Sequence, residues 1–395
     1  MRYKLFFFAL LCSVLVSCRE LPTLPAPPPG TLVFGEDRDE VASDILAMDD
    51  GNFLILGGKE DKKSSTWDIM LIKVTPDGTE LWTRIIEDDS RDSYGRHIVK
   101  IDDGYAIVAY EVANNNGNFY GGVNAFLERY DDDFQLQGRS AISAVSGYGG
   151  TADPVAEMHP TASGGALVEV FNYDQINIQA FAPNGNPQEP INFYSGSQGA
   201  QRAKSLAPDL DGGFILGLVE SYGSNRLTLQ YLDGDGAQTN NFQDYVLDET
   251  GQVVGIAALP DSTILVSLWT YEYYSSSNPS GASLAHLDRN GNVIRQVVID
   301  NQAYFTDIFV HSDSSILLFG NSDGIYDYST GVQTSQVVVN RISDWTSDGE
   351  ISTFGGDASG MRGVVPMDDD RYGIVGFTRS FGAGGSDATL IFYQP

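Results

Sequence analysis

Few residues in this 395-residue chain are placed to do covalent chemistry. There are four histidines, His97, His159, His286 and His311. Three fall in short apolar stretches that read as inner strands: RHIVKI at 96–101, VAEMHPT at 155–161 and FTDIFVH at 305–311. They lie at different distances from their turns, so they read as isolated structural side chains and not as a shared metal site. No GxSxG elbow, HExxH, GxGxxG or phosphate-cradling loop occurs, so no catalytic residue and no cofactor is expected. The acidic pairs Asp233 and Asp235 (DGDG) and Asp209 and Asp211 (DLDGG) raise the possibility of calcium. That ion wants six to eight oxygens, and equivalent positions elsewhere hold PDG, PNG and RNG, so these are turns first.

Cys18 carries a more definite chemistry. Arg2 and Lys4 precede a twelve-residue apolar run, LFFFALLCSVLV at 5–16, too short for a span of ~20 helical residues. The run ends in LVSC at 15–18, which resembles the lipobox of bacterial lipoproteins. The resemblance implies cleavage before Cys18, acylation of that cysteine and a palmitate-type anchor. Residues 1–17 are then a lipoprotein signal peptide. Cys12 leaves with them, so the body has neither thiol nor disulfide. Residues 18–30 are the lipidated cysteine and a linker with five prolines, extended over roughly 37 Å at ~3.1 Å per residue.

A third set of residues suits recognition. Tyr94, Tyr120, Tyr148, Tyr271, Tyr273, Tyr274, Tyr326 and Tyr328 lie in stretches rich in Ser, Asn and Gly: RDSYG, NNNGNFYGG, SGYGG, YEYYSSSNPSG and SDGIYDYSTG. Tyrosine beside small polar residues supplies rigid contact area with adaptable hydrogen bonding. The same tyrosines could equally pack their own loops.

The elements that must position these residues recur seven times. An apolar strand follows a polar turn at 50–58, 102–111, 163–171, 211–219, 261–269, 313–320 and 369–377. The starts are about fifty residues apart, the period of propeller blades. The runs are continuously apolar, as in strands covered on both faces. A second apolar strand follows each one. Then come tight turns with φ > 0 signals, at 76–78, 183–185, 233–236, 289–291 and 347–349, and a more polar outer strand. The expected fold is all-β: a seven-bladed β-propeller over residues 31–395. In it, TLVFGE at 31–36 docks on 388–394 to complete the last blade and remove open edges. Short DG-type turns should share one face, and the long tyrosine-bearing loops the other.

The repeats resemble those of exported bacterial β-propeller lipoproteins, and TPDGTELW at 75–82 is partly similar to quinoprotein-type repeats. With 53 Asp+Glu against 23 Lys+Arg, nucleic acid is not an expected partner. The resemblance implies an outer-membrane, lipid-anchored body, on a periplasmic or cell-surface face. There it would be a non-catalytic protein-binding or scaffold subunit of an envelope complex. A glycan-binding surface lipoprotein and a propeller enzyme with its site at the channel mouth are the alternatives.

Overall fold

The computed structural model describes residues 27–395, apart from 36–37, 62–65, 88–92, 113–122, 143–154, 173–174, 195–203, 220–224, 249–250, 271–280, 300–302, 323–324, 328–331, 344, 346–348, 355–358, 368–369, 381 and 383–384. Among the described residues every regular element is a strand. Seven four-stranded antiparallel sheets form a seven-bladed β-propeller, as the repeat spacing predicts. Blade 1 runs outward through Glu40–Ala47, Phe53–Glu60, Trp67–Val74 and Glu80–Ile86. The innermost strands of blades 2 to 7 are Ser93–Ile101, Val155–Pro160, Leu206–Pro208, Gln252–Ala258, Ala303–Val310 and Ser359–Pro366. In blade 7 these are followed by Tyr372–Thr378 and Asp387–Tyr393, and the outermost strand is Thr31–Phe34 from the start of the body. Thr31 pairs with Ile391 and Phe34 with Ala388, so the ring is closed by the expected N-terminal strand.

The second strand of each blade has no solvent face, which explains its unbroken apolar sequence. In blade 1, Phe53 and Ile55 pack towards blade 7, against Val375 and Leu390. Their neighbours Leu54 and Leu56 pack towards blade 2, against Ile98 and Ile107. Alternation along a strand thus feeds two cores at once. The seven hydrophobic clusters correspond to the seven blade–blade interfaces, and no single central core exists among the described residues.

Antiparallel order places the first–second and third–fourth connections on one face. These are tight turns. The glycines of the five expected turns, Gly78, Gly185, Gly236, Gly291 and Gly349, all have φ between 82° and 93°, a region in which a Cβ is strained. Acidic residues close the turns by accepting backbone N–H groups. Asp131 accepts from Asp133 and Gln135, Asp233 from Asp235 and Ala237, and Asp288 from Asn290 and Asn292. Much of the acidity is therefore turn chemistry. The opposite face carries the longer connections. The stretch expected as a plain loop at 322–331 instead contributes Ile325–Asp327, which pairs with Val332–Thr334 as a separate hairpin beside blade 6.

Candidate functional site: a channel girdle and a rim pocket

Six of the seven innermost strands break register at the same place. The bulged residues are Ser43, Arg96, Ala156, Val254, Thr306 and Arg362, one each in blades 1, 2, 3, 5, 6 and 7. A bulge leaves one residue unpaired and re-aims its neighbours. The residues that follow are Asp44, His97, Glu157, Gly255, Asp307 and Gly363. Two consecutive rows therefore diverge at one level of the disc, on the half nearer the long loops.

The second row, with Lys204 of blade 4, makes a charged girdle. Lys204 Nζ lies 3.1 Å from Glu157 Oε2 and donates to Asp307 Oδ1 at 2.8 Å, joining blades 3, 4 and 6. Burial opposes the charge on Lys204, but Asp307 and Glu157 hold its pKa above the ordinary lysine value. Burial also acts against ionisation of Glu157, yet Lys204, His97 and His159 outweigh it and bring its pKa down to about 2. Asp307 moves the other way, because burial outweighs its share of Lys204. Glu157 has Lys204 and two imidazoles beside it, and its pKa falls where that of Asp307 rises.

Neighbouring polar side chains bind the inner strand of the next blade. Asp44 Oδ2 accepts from the Ile98 N–H at 3.0 Å. The Tyr110 hydroxyl accepts from the Val155 N–H at 2.8 Å. Glu169 accepts from the Ser205 hydroxyl and from the N–H groups of Ser205 and Leu206 at 3.3 and 3.2 Å. It is completely buried, which raises its pKa to about 8. Asn321 exchanges two bonds with the Met361 backbone. Bulged backbone must find such partners when buried.

The four histidines occupy separate places. His97 sits in the girdle, with Nε2 3.4 Å from the Val155 carbonyl and Nδ1 3.6 Å from Asp44. His159 is further along the channel, with Nε2 3.3 Å from the Leu206 carbonyl, and burial lowers its pKa. His286 is on a third strand and stacks on Trp345 at 5.4 Å. His311, expected at the end of an inner strand, follows Val310 in the turn, where its N–H donates to the Ser315 carbonyl. The strand stops one residue short because that bond closes the turn. Of the acidic pairs, Asp209 is engaged by the Arg289 guanidinium, and Asp235 accepts from the Ser163 N–H. Among the described residues no cluster of three or more metal-ligating side chains forms.

The first row opens elsewhere. Ser43, Arg96 and Arg362 line a cavity of about 250 Å³ between blades 7, 1 and 2. Arg379, at the end of blade 7's second strand, adds a third guanidinium. Arg96 Nη1 donates to the Ser43 carbonyl at 3.2 Å, and Arg379 Nε to Ser386 Oγ at 3.0 Å. The Arg362 guanidinium stands 5.7 Å from the centroid of Phe377. Trp67 and Tyr94 form an edge-to-face wall with centroids 6.4 Å apart. Gly58 permits that wall, since a Cβ there would come 2.7 Å from Tyr94 Cβ. Asp39 supplies the one acidic lining residue among the described residues and accepts from the Ser386 N–H at 2.7 Å.

Tyr94 thus belongs to the pocket. It lies on the inner strand Ser93–Ile101 opposite Tyr110, not on a loop, because its ring packs against both Trp67 and Tyr110. Tyr120, Tyr148, Tyr271, Tyr273, Tyr274 and Tyr328 lie outside the described residues, as does Cys18. Tyr326 is described only by its backbone, which pairs with Gln333 in the added hairpin. The girdle and the arginines were not singled out from the sequence. Aligning the seven inner stretches would have shown a column of Asp44, His97, Glu157 and Asp307, charged where a strand core should be apolar.

No protein-family model matches the chain, and no curated protein matches it either. Solved structures do. A Bacteroides caccae protein of unknown function is 13% identical, covering 77% of this chain and 93% of its own, with a TM-score of 0.42. The β-propeller domain of the Trilobed protease from Pyrococcus furiosus is 10% identical over 91% and 96%, with a TM-score of 0.47. Chaetomium thermophilum Sqt1, bound to the N-terminus of ribosomal protein L10, is 10% identical over 92% and 98%, with a TM-score of 0.47.

Proposed function

We propose that this chain is a lipid-anchored propeller of the bacterial envelope that acts as a non-catalytic binding or scaffold subunit at the outer membrane. It docks a protein partner through its loop-rich face. The observation behind this reading is the asymmetry of the two faces. One face is a set of acidic turns whose side chains are occupied in closing the turns themselves. The other carries the rim pocket, and the tyrosine-rich connections are expected on it. The lipobox-like LVSC supplies the anchor, and among the described residues no helix is long and apolar enough to cross a membrane. The enzyme alternative would use the channel mouth, where Lys204, Glu157 and Asp307 are engaged with one another.

Two substitutions test the reading. Cys18→Ser releases the protein from membranes washed in high salt; a mutant that stays bound defeats the anchor. Changing Tyr271, Tyr273 and Tyr274 together to Ala abolishes capture of the envelope partner recovered by co-purification, with native circular dichroism, because buried interface tyrosines contribute ~2 kcal/mol or more each. Capture that survives in the folded triple mutant and fails in His97→Ala moves the site to the channel.

A further inference from the structure

The rim pocket gathers three of the chain's 23 cationic side chains in a molecule of net charge −30. Arg96, Arg362 and Arg379 come from two blades and from three separate stretches of chain, so no local sequence run explains their meeting. Cations scattered over so acidic a surface would lower the self-repulsion anywhere; converging on one cavity, they raise the potential there. Guanidinium groups are the side chains suited to a planar carboxylate, which they hold by paired N–H donors.

The remaining walls narrow the choice. Trp67, Tyr94 and Phe377 are half-buried and offer flat apolar surface beside the arginines. Asp39 places an acceptor in the same wall. An acceptor carboxylate suits hydroxyl donors, and it opposes a ligand with a second negative charge, such as a phosphate dianion. The volume of about 250 Å³ is below the ~300 Å³ at which pockets for drug-sized ligands begin, so it admits one ring and not an extended chain. The lining residues lie in or beside the half of each strand nearer the loop-rich face, so the ring enters from that face.

We propose that this pocket binds a single sugar ring bearing one carboxylate, a hexuronate unit of an acidic glycan. Arg379 and Arg362 hold the carboxylate, Trp67 and Tyr94 cover the ring face, and Asp39 accepts ring hydroxyls. The arginine variants test this site and the Tyr271, Tyr273 and Tyr274 variant tests the partner surface, so failure of one reading is distinguishable from failure of the other.

The test uses the full folded body and calorimetric or NMR titration with methyl glucuronide, methyl glucoside, inorganic phosphate and an N-acetylated glutamyl dipeptide. The glucuronide binds with a Kd of about 1 mM or tighter, and the neutral glucoside at least about tenfold more weakly. Arg379→Gln and Arg362→Gln each weaken glucuronide binding by about tenfold or more, with the unfolding midpoint unchanged. Arg379→Lys, which keeps charge but loses the planar fork, falls between. Binding weakens with added salt. Equal binding of glucuronide and glucoside overturns the proposal, as does glucuronide binding untouched by Arg379→Gln. Tighter binding of phosphate or of the dipeptide overturns it in favour of an oxyanion or peptide-carboxylate site. No glucuronide binding at 10-fold above the expected Kd also overturns it.

Discussion

The girdle around Lys204 and the pocket around Arg96 and Arg362 arise from the same bulged level of the inner strands, yet their cations meet different surroundings. Lys204 points across a narrow channel, where Glu157 and Asp307 approach from two other blades and neutralise it. Arg96 and Arg362 flank the seam where the last blade meets the first, and they line a cavity with aromatic walls and, among the described residues, one acidic side chain. The propeller thus uses one repeated distortion for two ends. Where strands from several blades converge, charges pair and hold the ring together. Where the seam leaves space, guanidinium groups line a cavity beside aromatic walls. Mutations in the first region should therefore move stability, and those in the second should move binding.

The largest effect is expected from Lys204→Met. It leaves Glu157 and Asp307, both half-buried, together without a counter-ion, and breaking a buried pair from one side costs at most about 3–5 kcal/mol. Urea unfolding measures this; a loss under ~1 kcal/mol would make the girdle dispensable and open the channel to a ligand role. Deletion of residues 27–34 comes next. It uncovers the edge of Asp387–Tyr393 and removes Leu32 and Phe34 from the blade 7–blade 1 core, at about 3 kcal/mol. Because the pocket straddles that seam, glucuronide binding should fall with stability, whereas Lys204→Met should lower stability without changing binding in the folded fraction.

A pH titration sharpens the contrast further. Burial raises Glu169 to about 8 from an ordinary 4.5, so the folded state holds more protons than the unfolded between those values. Stability contributed by this group is full below about 4.5 and is lost as pH rises through about 8. Glu157 runs the other way: with a folded value of about 2, its contribution is present above about 4.5 and is lost as pH falls through about 2. Glu169→Gln should flatten the decline of the unfolding midpoint between pH 4.5 and 8; an unchanged slope would show that Glu169 is ionised in the fold. The smallest stability effect belongs to Arg379→Gln, an exposed side chain, within ~0.5 kcal/mol.

Much of this architecture was legible because it rests on local patterns. Continuous apolar runs mark strands covered on both faces, as at residues 53–58 and 316–320. Turns ending in Gly78, Gly236 and Gly291 announce themselves through residues that tolerate positive φ. Blade count and the pairing of Thr31–Phe34 with the last blade follow, since an incomplete final repeat and an orphan first strand have one economical match. Even where glycine is missing, the turn position is kept: Ser262, Ser314 and Asp370 adopt φ of 61–69° there.

Position within the assembled ring was not legible. Lys204 and Asp307 are 103 residues apart, and Arg96 and Arg379 reach one cavity from opposite ends of the chain. Strand periodicity alternates two directions, but a bulge adds a residue, so the neighbours Arg96 and His97 are sent to a seam pocket and to the channel, respectively. The amino-acid sequence alone determined seven blades, their turns and their closure, because each depends on a few adjacent residues. Which charges would meet across the channel and which would line the seam pocket was decided only by ring closure, because that brings together strands that no local pattern relates.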